Sequence, residues 1–239
     1  MIGRFHEFSV HAPEVLASLE FYERLGFVQA TTGEAWPYPY AVVTDGRIGI
    51  GLHGRELPAS PLLAFVLPDL LHRLDELEAD GFEVLERALG DDVFNQAMIA
   101  SPGGPALRLL EARTYSPVQR PPGQTSKLGW FEEVALPVAD PAAAVAYWER
   151  LGFVPAGEGD DPYPHLGVTS DGISLALLAA GSLAAPALVF THAAMPARIE
   201  ELRNAGLPFS RRPPVGLDPA RNALLVAPEG TQLLLTAGT

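Results

Sequence analysis

A nine-residue segment occurs twice in this chain. Glu-Phe-Tyr-Glu-Arg-Leu-Gly-Phe-Val at Glu20 to Val28 returns as Ala-Tyr-Trp-Glu-Arg-Leu-Gly-Phe-Val at Ala146 to Val154, 126 residues later in a chain of 239. A repeat spaced at about half the length restricts the fold to two homologous modules laid end to end. The offset persists along the chain. Tyr38-Pro39 is matched by Tyr163-Pro164, Val43-Thr44 by Val168-Thr169, Asp45-Gly46 by Asp171-Gly172, Pro61 by Pro186, Phe65 by Phe190, Leu77 by Leu202 and Gly81 by Gly206. With 48% hydrophobic and 19% charged residues, each half has the material for its own core.

Periodicity gives the order within a copy. Residues 4–12 read as a strand. Pro13 at a first helical position opens an amphipathic helix with Val15, Leu19, Tyr22 and Leu25 on one face, and Gly26 ends it. Strands at 27–31, 38–44 and 48–53 follow. Leu62–Leu67 then starts a second β-α-β-β-β unit, with Asp69 as N-cap, Leu70, Leu74 and Leu77 on the buried face and Gly81 at the end. Its strands are expected at 83–88, 94–100 and 106–112. In the second copy a strand at 131–138 precedes Asp140 as N-cap, Pro141 at the first helical position, and Gly152 as terminator. Phe21-Tyr22 and Tyr147-Trp148 fall on the core face of their helices. The chain divides into residues 1–114, a Pro-rich polar linker at 115–129, and residues 130–239. The predicted class is α+β: two tandem domains, each of paired β-α-β-β-β units forming a curved mixed sheet with a concave cleft.

Charge narrows the partners. A formal charge of −13, with 16 Lys and Arg in all, argues against a nucleic-acid backbone and against an anionic membrane surface. No apolar run approaches the roughly 20 residues that span a bilayer, and Met1-Ile2-Gly3-Arg4 lacks the regions of a signal peptide, so a cytoplasmic location is expected. With no cysteine, thiol catalysis and Cys-ligated metals are excluded.

A strand, a Pro- or Asp-initiated helix ending in Tyr-Glu-Arg-Leu-Gly-Phe or Trp-Glu-Arg-Leu-Gly-Phe, and a final strand after Pro102-Gly103-Gly104 or Pro228-Glu229-Gly230 resemble the vicinal oxygen chelate superfamily. That superfamily includes glyoxalase I, bleomycin-resistance proteins and extradiol dioxygenases. The resemblance covers nearly the whole chain and implies two such domains in tandem. It also implies the position of a divalent metal, held by His on opening strands and Glu on closing strands. Here the opening-strand positions carry Glu7, Leu62, Glu133 and Ala187, and the closing-strand positions carry Arg108 and Leu234. One oxygen ligand per domain is too few for a divalent ion, and Arg108 would repel it. No cofactor is therefore expected. The alternative is an atypical metal site in the N-terminal domain built on Glu7 with His53 or His11.

The residues placed as ligand contacts are Glu7, Ser9 and His11 along one strand face; Trp36 as part of an aromatic lid; Tyr40 and its counterpart His165; Asn95 and Arg221 at the start of penultimate strands; and Arg108 and Glu133. Glu7 and Arg108 are expected to pair or to present a polar handle together. The leading reading is a metal-independent protein that binds a small, largely apolar organic molecule in a cleft, as bleomycin-resistance proteins do. Alternatives are a metal-dependent lyase or dioxygenase, and a pseudo-enzyme whose second domain is structural. Because relatives with one such domain form dimers, either a monomer or a homodimer is compatible with the tandem chain.

Overall fold

The computed structural model describes residues 1–31, 36–114, 126–210 and 216–238. The N-terminal half contains β1 (Arg4–His11), α1 (Val15–Arg24), β2 (Val28–Gln29), β3 (Tyr40–Thr44), β4 (Gly49–His53), β5 (Leu62–Leu67), α2 (Leu70–Ala79), β6 (Val84–Ala88), β7 (Gln96–Ile99) and β8 (Ala106–Glu111). In the C-terminal half follow β9 (Trp130–Val138), α3 (Pro141–Arg150), β10 (Val154–Gly159), β11 (His165–Ser170), β12 (Ile173–Ala179), β13 (Ala187–His192), α4 (Met195–Asn204), β14 (Ala223–Val226) and β15 (Gln232–Ala237). The fold is α+β in two tandem domains, one sheet in each.

The sequence repeat has a local explanation. At the end of α1 the N–H of Gly26 donates to the carbonyl of Glu23 (2.9 Å) and that of Phe27 to Tyr22 (3.0 Å); at the end of α3 Gly152 donates to Glu149 (2.9 Å) and Phe153 to Trp148 (3.0 Å). This is the paired closure of a Schellman cap, which needs a left-handed residue at its turn; Gly26 and Gly152 supply φ of 86° and 92°. Phe27 and Phe153 follow the cap and are buried. The repeated stretch is thus a helix terminator with its hydrophobic clasp. Because Phe27 completes the cap, the strand expected at 27–31 shrinks to Val28–Gln29. Helix α1 also starts two residues later than Pro13, with Glu14 at the N-cap position making no side-chain cap bond. Asp69 and Asp140 do cap, accepting from the N–H of His72 (3.3 Å) and Ala143 (3.0 Å).

The sheets follow one plan. Strand order is β2-β3-β4-β1-β5-β8-β7-β6 in the first and β10-β11-β12-β9-β13-β15-β14 in the second. The opening strands of paired units, β1 with β5 and β9 with β13, lie antiparallel at the centre. In the last unit the position of a further edge strand is marked, among the described residues, by one bridge between Phe209 and Leu225.

Alternation sorts each strand's side chains onto two faces. Phe8, Val10, Ile50, Leu52, Leu63, Phe65, Leu107 and Leu109 face the helices, as do Val134, Leu136, Leu188, Phe190, Leu233 and Leu235, and all join one core shared by both domains. Phe27 meets Phe190 edge-on at 6.1 Å, and Phe65 meets Phe153 at 6.3 Å. Polar ties cross the same seam. Glu229 accepts from the hydroxyls of Tyr22 (2.7 Å) and Ser18 (2.8 Å), and Tyr147 donates to the carbonyl of Ala100 (2.5 Å). Residues 115–125 of the expected linker lie outside the described residues; Leu128, near its end, is fully buried in the shared core. Each sheet is left with one helix-free face.

Candidate functional site

On the helix-free face of the first sheet, register places functional side chains in rows. Glu7 stands opposite Ala64, Ala64 beside Arg108, and Arg108 opposite Met98. One row on, Ser9 stands beside Gly51, and Tyr40 is opposite His53 at the ends of β3 and β4. The second sheet repeats the plan with Glu133 opposite Val189 and Val189 beside Leu234. The opening- and closing-strand positions inferred from the repeat therefore do share a face.

Glu7 is the centre of a hydrogen-bonded cluster. Its Oε1 accepts from Ser9 Oγ (2.6 Å) and lies 3.1 Å from His53 Nε2, while Oε2 accepts from Tyr40 OH (2.7 Å). Burial alone would raise the carboxyl's pKa, yet donation from His53, the nearby His6 and His53 rings and the Ser9 hydroxyl bring it down from 4.5 to about 2. An ionised Glu7 only accepts, so Nε2 of His53 carries the proton toward it. In that tautomer Nδ1 of a neutral ring accepts from Tyr38 OH, 3.1 Å away. The result is a Glu7–His53–Tyr38 chain in which the imidazole is fixed at both nitrogens.

Gly51 makes room for this cluster. A Cβ there would lie 2.3 Å from Glu7 Oε1, closer than any side chain allows, so the carboxylate rests on bare backbone. Above it Trp36 packs with its ring 5.5 Å from Tyr38, 6.0 Å from Tyr40 and 5.8 Å from His53, and edge-on to Phe94 at 6.4 Å. Glu7 is 3% exposed and His53 0%. Trp36 thus packs on the Tyr38, Tyr40 and His53 rings that surround the buried carboxylate.

Arg108 behaves differently from the expected partner of Glu7. The two are separated by β5, and Glu7 takes its bonds from Ser9, Tyr40 and His53 instead. Arg108 is 6% exposed, and among the described residues its side chain forms no hydrogen bond or ion pair. It lines a cavity of about 270 Å³, with Arg55, Glu86, Gln96 and Met98. Burial pulls its pKa down, opposed by the charge of Tyr38 and Glu7. Arg55 lies over the Tyr38 ring at 4.7 Å.

The remaining sequence-selected residues stand apart. His11 lies across from His53 in register and donates its backbone N–H to Ser60 Oγ (3.0 Å). Asn95 organises a turn, accepting from Gly90 N–H (2.8 Å) and donating to Glu111 (2.6 Å). Arg221 is exposed in a turn, where its N–H donates to the Asp218 carbonyl (3.1 Å). In the C-terminal domain Glu133 accepts from Tyr163 OH (3.0 Å), and His165 donates its Nδ1 to the Tyr163 carbonyl (3.0 Å). Glu133's carboxyl is pushed up, chiefly by burial, against the pull of His165 and Tyr163. Around it Ala135, Ala176, Leu178, Ala187, Val189 and Leu234 pack with Tyr163, Leu183, Leu217 and Leu224 into an apolar cluster. Gly51, Tyr163, Met98 and Arg55 were not singled out from sequence; only the Tyr38-Pro39/Tyr163-Pro164 match pointed toward one of them.

The donor set does not fit the divalent ion that the resemblance implies. Among the described residues no three His, Asp or Glu side chains converge as a metal-binding group. Glu7 and His53 do come together, as the alternative reading required. They are bonded to each other, though, and the next charged side chain in their row is the guanidinium of Arg108.

No family model and no curated protein matches the chain by sequence. Solved structures do match by fold. A catechol 2,3-dioxygenase superposes with a TM-score of 0.61 at 15% identity over 99% of this chain and 88% of that one. The homoprotocatechuate 2,3-dioxygenase of Arthrobacter globiformis gives 0.63 at 13% over 99% and 80%. The Mn(II)-bound glyoxalase of Novosphingobium aromaticivorans gives 0.61 at 15% over 98% and 81%. The chain therefore shares the fold of these dioxygenases and this glyoxalase over nearly its whole length. Among the described residues no helix is long and apolar enough to cross a membrane.

Proposed function

We propose that this chain binds a small organic molecule on the helix-free face of its N-terminal domain, without a resident divalent metal, while the C-terminal domain serves mainly to complete the fold. The observation that carries this reading is Arg108: a buried guanidinium stands at the closing-strand position and opens onto a cavity. Polar anchors set in apolar and aromatic walls are the usual make-up of a small-molecule site. In the C-terminal domain the corresponding face is occupied by its own Leu and Ala side chains. The test is to purify the chain after growth with Mn, Fe, Ni and Zn, measure metal stoichiometry, and identify co-purifying molecules by native mass spectrometry. Substoichiometric metal with a bound organic species is expected. One tightly held ion per chain, accompanied by ring-cleavage or lyase activity, would overturn the reading.

The metal-dependent alternative draws on the 3.1 Å contact of Glu7 with His53. Replacing Glu7 by Gln separates the two readings, because a ligand's loss abolishes metal binding whereas a structural acceptor's loss lowers stability alone. We assign the protein to the cytoplasm and, since two modules already pair within one chain, to a monomer; a dimer on gel filtration would contradict the latter.

A further inference from the structure

We propose that the ligand of the N-terminal cavity is a small monoanionic organic acid whose carboxylate is held by Arg108, so that a side chain built into β8 supplies the positive charge. The inference rests on the reading that this cavity binds a small molecule.

Arg108 is held from both sides, its backbone paired to Ala64 on β5 and to Met98 on β7. A guanidinium carries five donors in a rigid fork that matches a carboxylate edge, and burying it without an acceptor is unfavourable. Of the two carboxylates whose charge reaches it, Glu7 is engaged with Ser9, Tyr40 and His53, and Glu86 is exposed at the cavity and forms no ion pair with it among the described residues. Arg108 lines the cavity. Arg55 adds a second cation there, in a chain whose net charge is −13. Met98, Ala88 and Ala97 offer an apolar floor, and Gln96 a neutral polar group. Two features limit the ligand. The volume, about 270 Å³, is at the small end of ligand sites, roughly that of nine liquid waters. Glu86 on the rim disfavours a doubly charged anion such as a phosphate monoester.

The experiment titrates benzoate, its neutral isostere benzamide and inorganic phosphate into the intact chain carrying methyl-labelled methionine, with Met98 reporting the cavity. Benzoate is expected to shift the Met98 signal and to bind about tenfold to a hundredfold tighter than benzamide. Arg108→Gln should remove that preference and Arg108→Lys should restore part of it. Arg108→Gln should melt no lower than the parent, since it removes a buried charge, and Arg108→Lys, which keeps the charge, should melt close to the parent. Benzoate and benzamide binding equally at Met98, or benzoate binding unchanged in Arg108→Gln, overturns the acid while the cavity still binds. Phosphate outcompeting benzoate overturns the monoanion. If no probe moves Met98, the cavity reading falls as well.

Discussion

Glu7 and Glu133 occupy equivalent places in two copies of one module, and their carboxyls are driven in opposite directions, one down to about 2 and the other up. Burial pushes both up; their neighbours decide the outcome. Register pairs each neighbour with a counterpart. Ser9 answers to Ala135 and Gly51 to Ala176, since Ser9 lies beside Gly51 as Ala135 lies beside Ala176. By the same register His53 answers to Leu178, Tyr40 to His165 and Arg108 to Leu234. The N-terminal face has donors and a bare backbone position on which a carboxylate can rest. In the C-terminal face the Cβ of Ala176 fills that position, Ala135 and Leu178 stand where Ser9 and His53 donate, and Tyr163 is left as the one hydrogen-bond donor to Glu133 among the described residues. An ionised side chain is thus stabilised in one copy and merely tolerated in the other.

Four measurements break or sharpen this contrast. Glu7→Gln should have the largest effect, about 3 kcal/mol, since its carboxyl is held at about 2 in the folded chain against 4.5 unfolded; it is seen as a lower urea midpoint at pH 7. Because the folded-state pKa lies below the unfolded one, that stability is present above about pH 4.5 and lost as pH falls toward 2. The acid limb of the parent's stability curve should flatten in the variant. Gly51→Ala copies the C-terminal residue into the N-terminal site. It should destabilise by about 2 kcal/mol through crowding and, by displacing the carboxylate, raise the Glu7 pKa measured by carbon-detected NMR. Tyr40→Phe removes one donor and should lower stability by about 1 kcal/mol. The smallest effect, opposite in sign, is expected from Glu133→Gln. With its folded pKa raised, ionised Glu133 opposes folding at neutral pH and is relieved as pH falls through that pKa toward 4.5. The variant should melt slightly higher at pH 7 and lack this rise; a lower melting point would show that Glu133 is held as firmly as Glu7.

Much of the architecture was legible because its signals are local. A glycine two residues beyond the last turn of α1 or α3 and an aromatic after it declare a Schellman cap from five letters, and Asp69 and Asp140 declare starts. The resemblance set Glu7 at an opening-strand and Arg108 at a closing-strand position, and the two do lie on one face. Their pairing was misread, since a shared face says nothing of the strand that separates them: β5 lies between, and Ala64 is too short to bridge. His53 entered only as an alternative partner of Glu7, beside His11, because its place depends on how β4 registers against β1, a long-range fact. Gly51 carried no signal of its own; its bare Cα has meaning only once Glu7 is known to rest there. Asn95 and Arg221, polar residues at strand entrances, take part in the hydrogen bonds of their own turns, which their place in the sequence also suggested.

The tie between Tyr22 and Glu229 has a consequence for how the chain is made. These partners are 207 residues apart in sequence, so at about 5–20 residues per second the ribosome delivers Glu229 roughly 10–40 seconds after Tyr22. Until then the buried face of α1 and the phenol of Tyr22 lack their final surroundings. The nascent N-terminal half must wait with part of its apolar seam uncovered, a natural station for chaperone binding during synthesis.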